Sequence, residues 1–242
     1  AIGCYRAYLQ SWCVPEFDTS ENGHYEATQI YHPLLTDPVG NNVDLKRGII
    51  LTGSNASGKS TMLKTLTIGA ILAQSINTVP ALYYRAPAYK IYTSLALTDD
   101  ILAGESYYMT EIKSLKRIID EGGQDGVPLL ACVDEVLRGT NTIERIAASC
   151  VILKGLSSVK GMIITATHDL ELARLLSDEY DNYHFEETIE GNDISFAYKM
   201  LPGAATTKNA IKLLEIVGYD EAITKEAARL AGIMERDGIG AI

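Results

Sequence analysis

The chain has 242 residues, of which 47% are apolar and 21% charged, an ordinary balance for a globular protein with a sizeable core. Its 21 Lys and Arg against 31 Asp and Glu give a net charge of −10. That argues against the chain gripping DNA or RNA by itself, because such binding leans on cations that neutralise phosphates.

The length suits one large domain, or one domain with an appendage. Residues 1–23 read as a lead-in segment from a preceding domain, since the chain starts mid-pattern at Ala1. His24 to Tyr31 is a strand candidate, and Pro33, Pro38, Gly40, Asn41 and Asn42 make a turn-rich loop. The apolar run Gly48-Ile49-Ile50-Leu51-Thr52 reads as a buried strand.

The next nine residues, Gly53-Ser54-Asn55-Ala56-Ser57-Gly58-Lys59-Ser60-Thr61, fit the phosphate-loop spacing G-x-x-x-x-G-K-S/T at every fixed position. The glycines let the backbone turn tightly, so that several N–H groups point inward at an anion. The helix that follows adds the positive end of its dipole. Lys59 is expected to reach the outer phosphates of a nucleotide, and the Ser60 hydroxyl to ligate Mg²⁺. That helix carries Leu63, Leu66, Ala70 and Ile71 on one face and ends before Pro80.

Tyr89 to Ala96 alternates and is rich in strand formers. Tyr108, Ile112, Leu115 and Ile119 give a helix face that stops at Gly122-Gly123. Pro128 to Val133 and Gly161 to Thr167 are continuous apolar runs, the mark of strands buried on both faces. Between them Ile143, Ile146, Ala147, Cys150 and Val151 form another helix face. Strands alternating with helices predict an α/β fold with a mostly parallel sheet covered on both sides. Ser195 to Leu201 is a candidate antiparallel strand, and two short helices separated by Gly218 close the chain.

Asp134-Glu135 ends the first apolar run, at the strand edge where α/β proteins bind ligands. Asp134 is expected to hold Mg²⁺ through water, and Glu135 to polarise an attacking water. The competing reading is a solvated turn. His168 ends the second run, where it could contact a γ-phosphate; Asp169 after it could simply cap the next helix. Cys4, Cys13, Cys132 and Cys150 show no metal spacing and no disulfide framework, which fits a reducing cytoplasm, and Cys132 reads as a core residue. No apolar run is long enough to span a membrane, and no basic-then-apolar leader opens the chain.

A phosphate loop, an acidic pair and a histidine after the next strand together resemble the head of an ABC-type ATPase, within the P-loop NTPases. Asp99-Asp100 through Gly104, Ser106, Met109 and Glu111 is similar to the signature segment of the MutS mismatch-repair family, roughly D-D-x-x-x-G-x-S-T-F-M-x-E. Arg138-Gly139-Thr140-Asn141-Thr142 resembles that family's R-G-T-S-T, and Ala166-Thr167-His168-Asp169-Leu170-Glu171-Leu172 its A-T-H-x-x-E-L. His32-Pro33 and Gly203-Ala204-Ala205 with Lys208 match flanking segments. The resemblance implies an ATPase domain over residues 24–202 and a helical dimerisation segment over 203–242. It implies a dimer with itself or a MutS-like subunit, with ATP as substrate and Mg²⁺ as cofactor. Ser106 would reach the γ-phosphate in the partner's site, and DNA would be held through domains upstream.

Some residues depart from the pattern. Ser54 and Ser57 stand for Pro and Gly in the loop, and Ile143-Glu144-Arg145 for Phe-Asp-Gly. No aromatic lies between Pro33 and Asn42 to stack on adenine, which leaves His32 and Asn42 as candidates for the base. Alternative readings are an SMC-type head and a nucleotide-gated dimerisation module outside mismatch repair.

Overall fold

In the computed structural model, residues 2–20, 24–54, 56–95, 107–122, 126–137, 140–190, 193–206 and 209–237 are described. The centre is a six-stranded sheet. Strands β4 (Ile49–Thr52), β7 (Leu129–Asp134) and β8 (Gly161–Ala166) are its middle, and β6 (Lys90–Ser94) and β9 (Asp181–His184) flank them. The order is β9-β4-β8-β7-β6, all parallel, and β12 (Leu201–Pro202) adds antiparallel to β9 at one edge. All four residues of β4, and five of six in both β7 and β8, are buried, as continuous apolar runs covered on both faces require.

Helix α2 (Lys59–Ile76) packs on one face of this sheet. Its buried residues include Met62, Leu63, Leu66, Ala70 and Ala73, while Ile71 turns outward. Behind α2 lies a second sheet of order β1-β5-β2-β3, from β1 (Glu16–Phe17), β2 (Tyr25–Ile30), β3 (Asn41–Leu45) and β5 (Tyr83–Ala86). Gly69 lets the helix and this sheet meet closely: a Cβ there would fall 2.9 Å from Ile30 Cδ1. The Tyr25 hydroxyl donates to Leu66 O at 2.9 Å across the same seam. The early residues join this layer. Phe17 pairs with Ala86, and Cys13 exchanges backbone hydrogen bonds with Val79.

Helices α3 (Tyr107–Glu121), α4 (Thr142–Ser157) and α5 (Leu170–Leu175) build the other face, around a core that includes Ile50, Leu115, Ile118, Val133, Leu153, Leu156 and Leu172. In α3 the buried apolar pair is Leu115 and Ile118, and Ile119 is part of the surface. In α4 Ser149, Leu153 and Leu156 are buried, with Ile146 and Cys150 partly so, whereas Ile143 and Val151 are exposed. In α3 the expected face packs through Tyr108, Ile112 and Leu115, and only Ile119 turns out; in α4 the face is displaced because the polar Ser149 belongs to the buried stripe, its hydroxyl donating to Val136 O at 3.2 Å. Cys132 is fully buried, accepts a hydrogen bond from Thr67 Oγ1, and burial pushes its thiol up to about 12, as expected of an inert core residue.

The candidate strand at 195–201 divides in two. Hairpin strands β10 (Glu187–Glu190) and β11 (Asp193–Phe196) pair with each other, the chain breaks at Tyr198 with φ 52°, and β12 follows. Two helices, α6 (Ala210–Val217) and α7 (Glu221–Asp237), then pack on each other. Gly218 ends α6 in the left-handed conformation, the C-terminal stop that glycine makes cheap. No helix of the described residues is long and apolar enough to cross a membrane.

Gly161 enters β8 at φ 143°, where an added Cβ would sit 2.1 Å from Leu129 O. Gly161→Ala is expected to destabilise the fold by about 2 kcal/mol. A urea unfolding midpoint equal to that of the parent would refute this.

Candidate functional site

The strand order brings three loops together. β8 lies between β4 and β7, so the phosphate loop after Thr52 and the acidic pair after Val133 flank the strand that carries His168. The backbone sews these strand ends tightly: Thr167 N donates to Leu51 O and Glu135 N to Ala166 O, each at 2.9 Å.

In the phosphate loop Gly53, Ala56 and Gly58 have φ of 138°, 66° and 115°. At Gly53 a Cβ would meet Phe185 O at 2.5 Å, which is why glycine is needed. Ser57 Oγ donates to Ser54 O at 2.9 Å and helps close the turn. Lys59 is buried, and its ammonium donates to Gly53 O at 2.7 Å and Ser54 O at 2.6 Å. Asn55 lies outside the described residues.

Glu135 and His168 meet: Oε1 and Nε2 are 3.0 Å apart. A cavity of about 160 Å³ joins them to the loop, lined by Ser54, Ala56, Gly58, Lys59, Ser60 and Thr61 on one side. Glu135 takes φ 56°, a left-handed conformation that costs a non-glycine residue about 1 kcal/mol or more and tends to mark functional positions. Ser60 lies in the first turn of α2 and Asp134 ends β7, facing Ala166 in register. Together they offer one hydroxyl and one carboxylate. That oxygen-only pair fits Mg²⁺, which takes few protein ligands and completes its shell with phosphates and water. Among the described residues no group of three or more His, Cys, Asp or Glu gathers to hold a metal by itself.

A larger cavity of about 370 Å³ shares Ala56, Gly58 and Thr61 with the first. Its walls include His32, Tyr31, Phe185 and Tyr198. Burial lowers the basicity of His32, and nearby Lys64 adds to this. Asn42 is not on these walls; it is exposed and accepts hydrogen bonds from Gln29 N and Nε2. Its neighbour Asn41 is the buried one. Asn41 donates to Tyr198 O at 3.0 Å and accepts from Met200 N at 2.8 Å, so it fixes the segment that presents Tyr198. The aromatic walls thus come from two places: Tyr31 lies just before the loop, while Phe185 and Tyr198 come from beyond residue 180, some 150 positions away. Only the run of strand formers around Ser195 pointed there.

Two further side chains tie the site to its surroundings. Glu111 on α3 is 1% exposed, and its Oε1 accepts from Leu137 N at 2.5 Å, in the loop that carries Glu135. Glu187, also buried, accepts from Ser54 Oγ at 2.8 Å and from Asn209 Nδ2 at 2.9 Å. It therefore joins the phosphate loop to the start of α6. Ser106, Arg138, Gly139 and Lys208, together with residues 99–105 of the signature segment, lie outside the described residues.

The family described as MutS domain V matches residues 49–235. The DNA mismatch repair protein MutS of Thermus aquaticus is 29% identical over 216 residues, covering 87% of this chain and 26% of that protein. MutS protein homolog 4 is 35% identical in Mus musculus, over 90% of this chain and 24% of that protein. In Homo sapiens it is 33% identical, over 92% and 25%. The chain spans about a quarter of the length of these curated relatives. With its match to domain V extending over most of its length, the chain belongs to the MutS family.

Proposed function

We propose that this chain is the ATP-binding and ATP-hydrolysing part of a MutS-like DNA-repair protein, acting in the cytoplasm as a dimer. The observation that carries this reading is the single cavity shared by the phosphate loop, Glu135 and His168. ATP binds with its phosphates in the 160 Å³ cavity, where loop N–H groups and the start of α2 favour anions. Lys59 exchanges its two carbonyl partners for phosphate oxygens. Ser60 and Asp134 would hold Mg²⁺, which would supply charge neutralisation at the transferring phosphate. Glu135 accepts the proton of the attacking water at a carboxylate oxygen, and His168 orients that carboxylate. Ser106 completes the partner's site at the γ-phosphate, so that occupancy of two sites joins two subunits and moves a DNA clamp formed by domains upstream.

The adenine ring occupies the 370 Å³ cavity against Tyr198, with His32 also on its walls. Base–aromatic stacking contributes roughly 1–3 kcal/mol. Tyr198→Ala is therefore expected to weaken ATP binding about 10-fold while leaving inorganic tripolyphosphate binding unchanged. Equal losses for both ligands would remove the base from this cavity.

The function itself is tested by phosphate release from Mg²⁺–ATP and by calorimetric ATP binding. Saturable turnover supports it. Binding without turnover favours a nucleotide-gated dimerisation module, and absence of both overturns it.

A further inference from the structure

Two bridges span the ends of β7 and β8. The inner one is Glu135 with His168, 3.0 Å apart. The outer one is Arg145 with Asp169: Nε donates to Oδ2 at 3.0 Å and Nη2 to Oδ1 at 2.6 Å. Asp169 directly follows His168, and Arg145 lies in the first turn of α4, the helix entered from the Glu135 loop. The same two segments are thus joined twice.

The outer bridge is a specific construction. Asp169 occupies the N-cap position of α5, where a carboxylate is well suited to accept from the first helical N–H groups. It makes no such cap bond, and its side chain is given to Arg145 instead. Its backbone N–H meanwhile donates to Thr167 Oγ1 at 3.0 Å. His168 therefore sits in a three-residue turn held from both sides. The two side chains are 24% and 17% exposed, and the fork-to-fork geometry fixes direction as well as distance. The Asp169 hydrogen bonds raise the basicity of Arg145, and the charge of Glu135 adds to this, so the outer cation lies within the field of the inner carboxylate. Chain folding does not need this pair to align β7 with β8, because the ladder from Leu129↔Gly161 to Asp134↔Ala166 does so already.

We propose that Arg145 and Asp169 are positioning residues for hydrolysis. They hold the His168 turn at the spacing that keeps Nε2 on Glu135, so that turnover depends on them and ATP binding does not. This rests on the ATPase function proposed above.

The test compares wild type with Arg145→Met, Asp169→Asn, Arg145→Lys and the exchanged pair Arg145→Asp/Asp169→Arg. Three quantities are read: kcat for Mg²⁺–ATP, Kd for a fluorescent ATP analogue, and the melting temperature. Each neutral single variant is expected to lose about 10- to 100-fold in kcat, the scale of a misplaced catalytic group. Kd should stay within about twofold, and melting within about 3 °C, as suits a partly exposed pair. Arg145→Lys and the exchanged pair should each recover part of the rate. Unchanged kcat in an active wild-type background overturns the positioning role alone. So does a fall in kcat matched by losses in Kd and melting. A wild type that binds ATP without hydrolysing it overturns the ATPase function and this role with it.

Discussion

Lys59→Ala is expected to weaken ATP binding by roughly 100-fold or more, the scale of losing charge-assisted bonds to phosphate. The ammonium is buried beneath the loop and bonded to Gly53 O and Ser54 O. Phosphate oxygens are better partners than these carbonyls because they carry full charge. Alanine removes the cation and also the brace that gathers the two carbonyls, so binding suffers on both counts. The sheet does not depend on this contact, because β4 and β8 are joined by their own ladder. Calorimetric titration with ATP, beside a circular dichroism spectrum that matches wild type, checks the prediction. Affinity within about threefold of wild type would show that phosphates do not meet this loop.

Glu135→Gln is expected to leave ATP affinity within about threefold and to lower kcat by roughly 100- to 1000-fold, the scale of removing a general base. Glutamine matches the size of the carboxylate and can still accept from His168 through its amide oxygen. What it loses is the ability to take a proton from water. The left-handed backbone at Glu135 and its N–H bond to Ala166 O remain, so the geometry of the strand end is kept. Single-turnover phosphate release separates the chemical step from product release. A normal single-turnover rate in this variant would move the base elsewhere.

The parts legible in the sequence were those with a local cause. β4, β7 and β8 are apolar runs of four to six residues, and the phosphate loop announces the helix after it. The pairing of Glu135 with His168 could be anticipated because both end buried parallel strands. Strand β9 could not be read in the same way: Asp181-Asn182-Tyr183-His184 is half-buried throughout and carries no apolar run. The face of α4 was displaced because the polar Ser149 joins the buried stripe, whereas that of α3 differs only in Ile118 taking the buried place expected of Ile119. Alternation along β3 separates Asn41 from Asn42: neighbouring residues point to opposite faces, so one braces Tyr198 and the other bonds Gln29 at the surface. The contribution of Phe185 and Tyr198 to the aromatic wall was missed because their proximity to the loop exists only after folding.

Glu187 gives the molecule one more property. A single buried carboxylate divides its two oxygens between the loop that would cradle phosphate and the residue that begins the C-terminal helices. Neither contact can be altered without changing the electrostatic environment of the other. In thermodynamic terms any coupling between the two contacts is reciprocal: the effect of a geometry of Ser54 on a placement of Asn209 equals the effect of that placement on that geometry. Phosphate loop and terminal helices are thus two arms of one balance, with its pivot in the core.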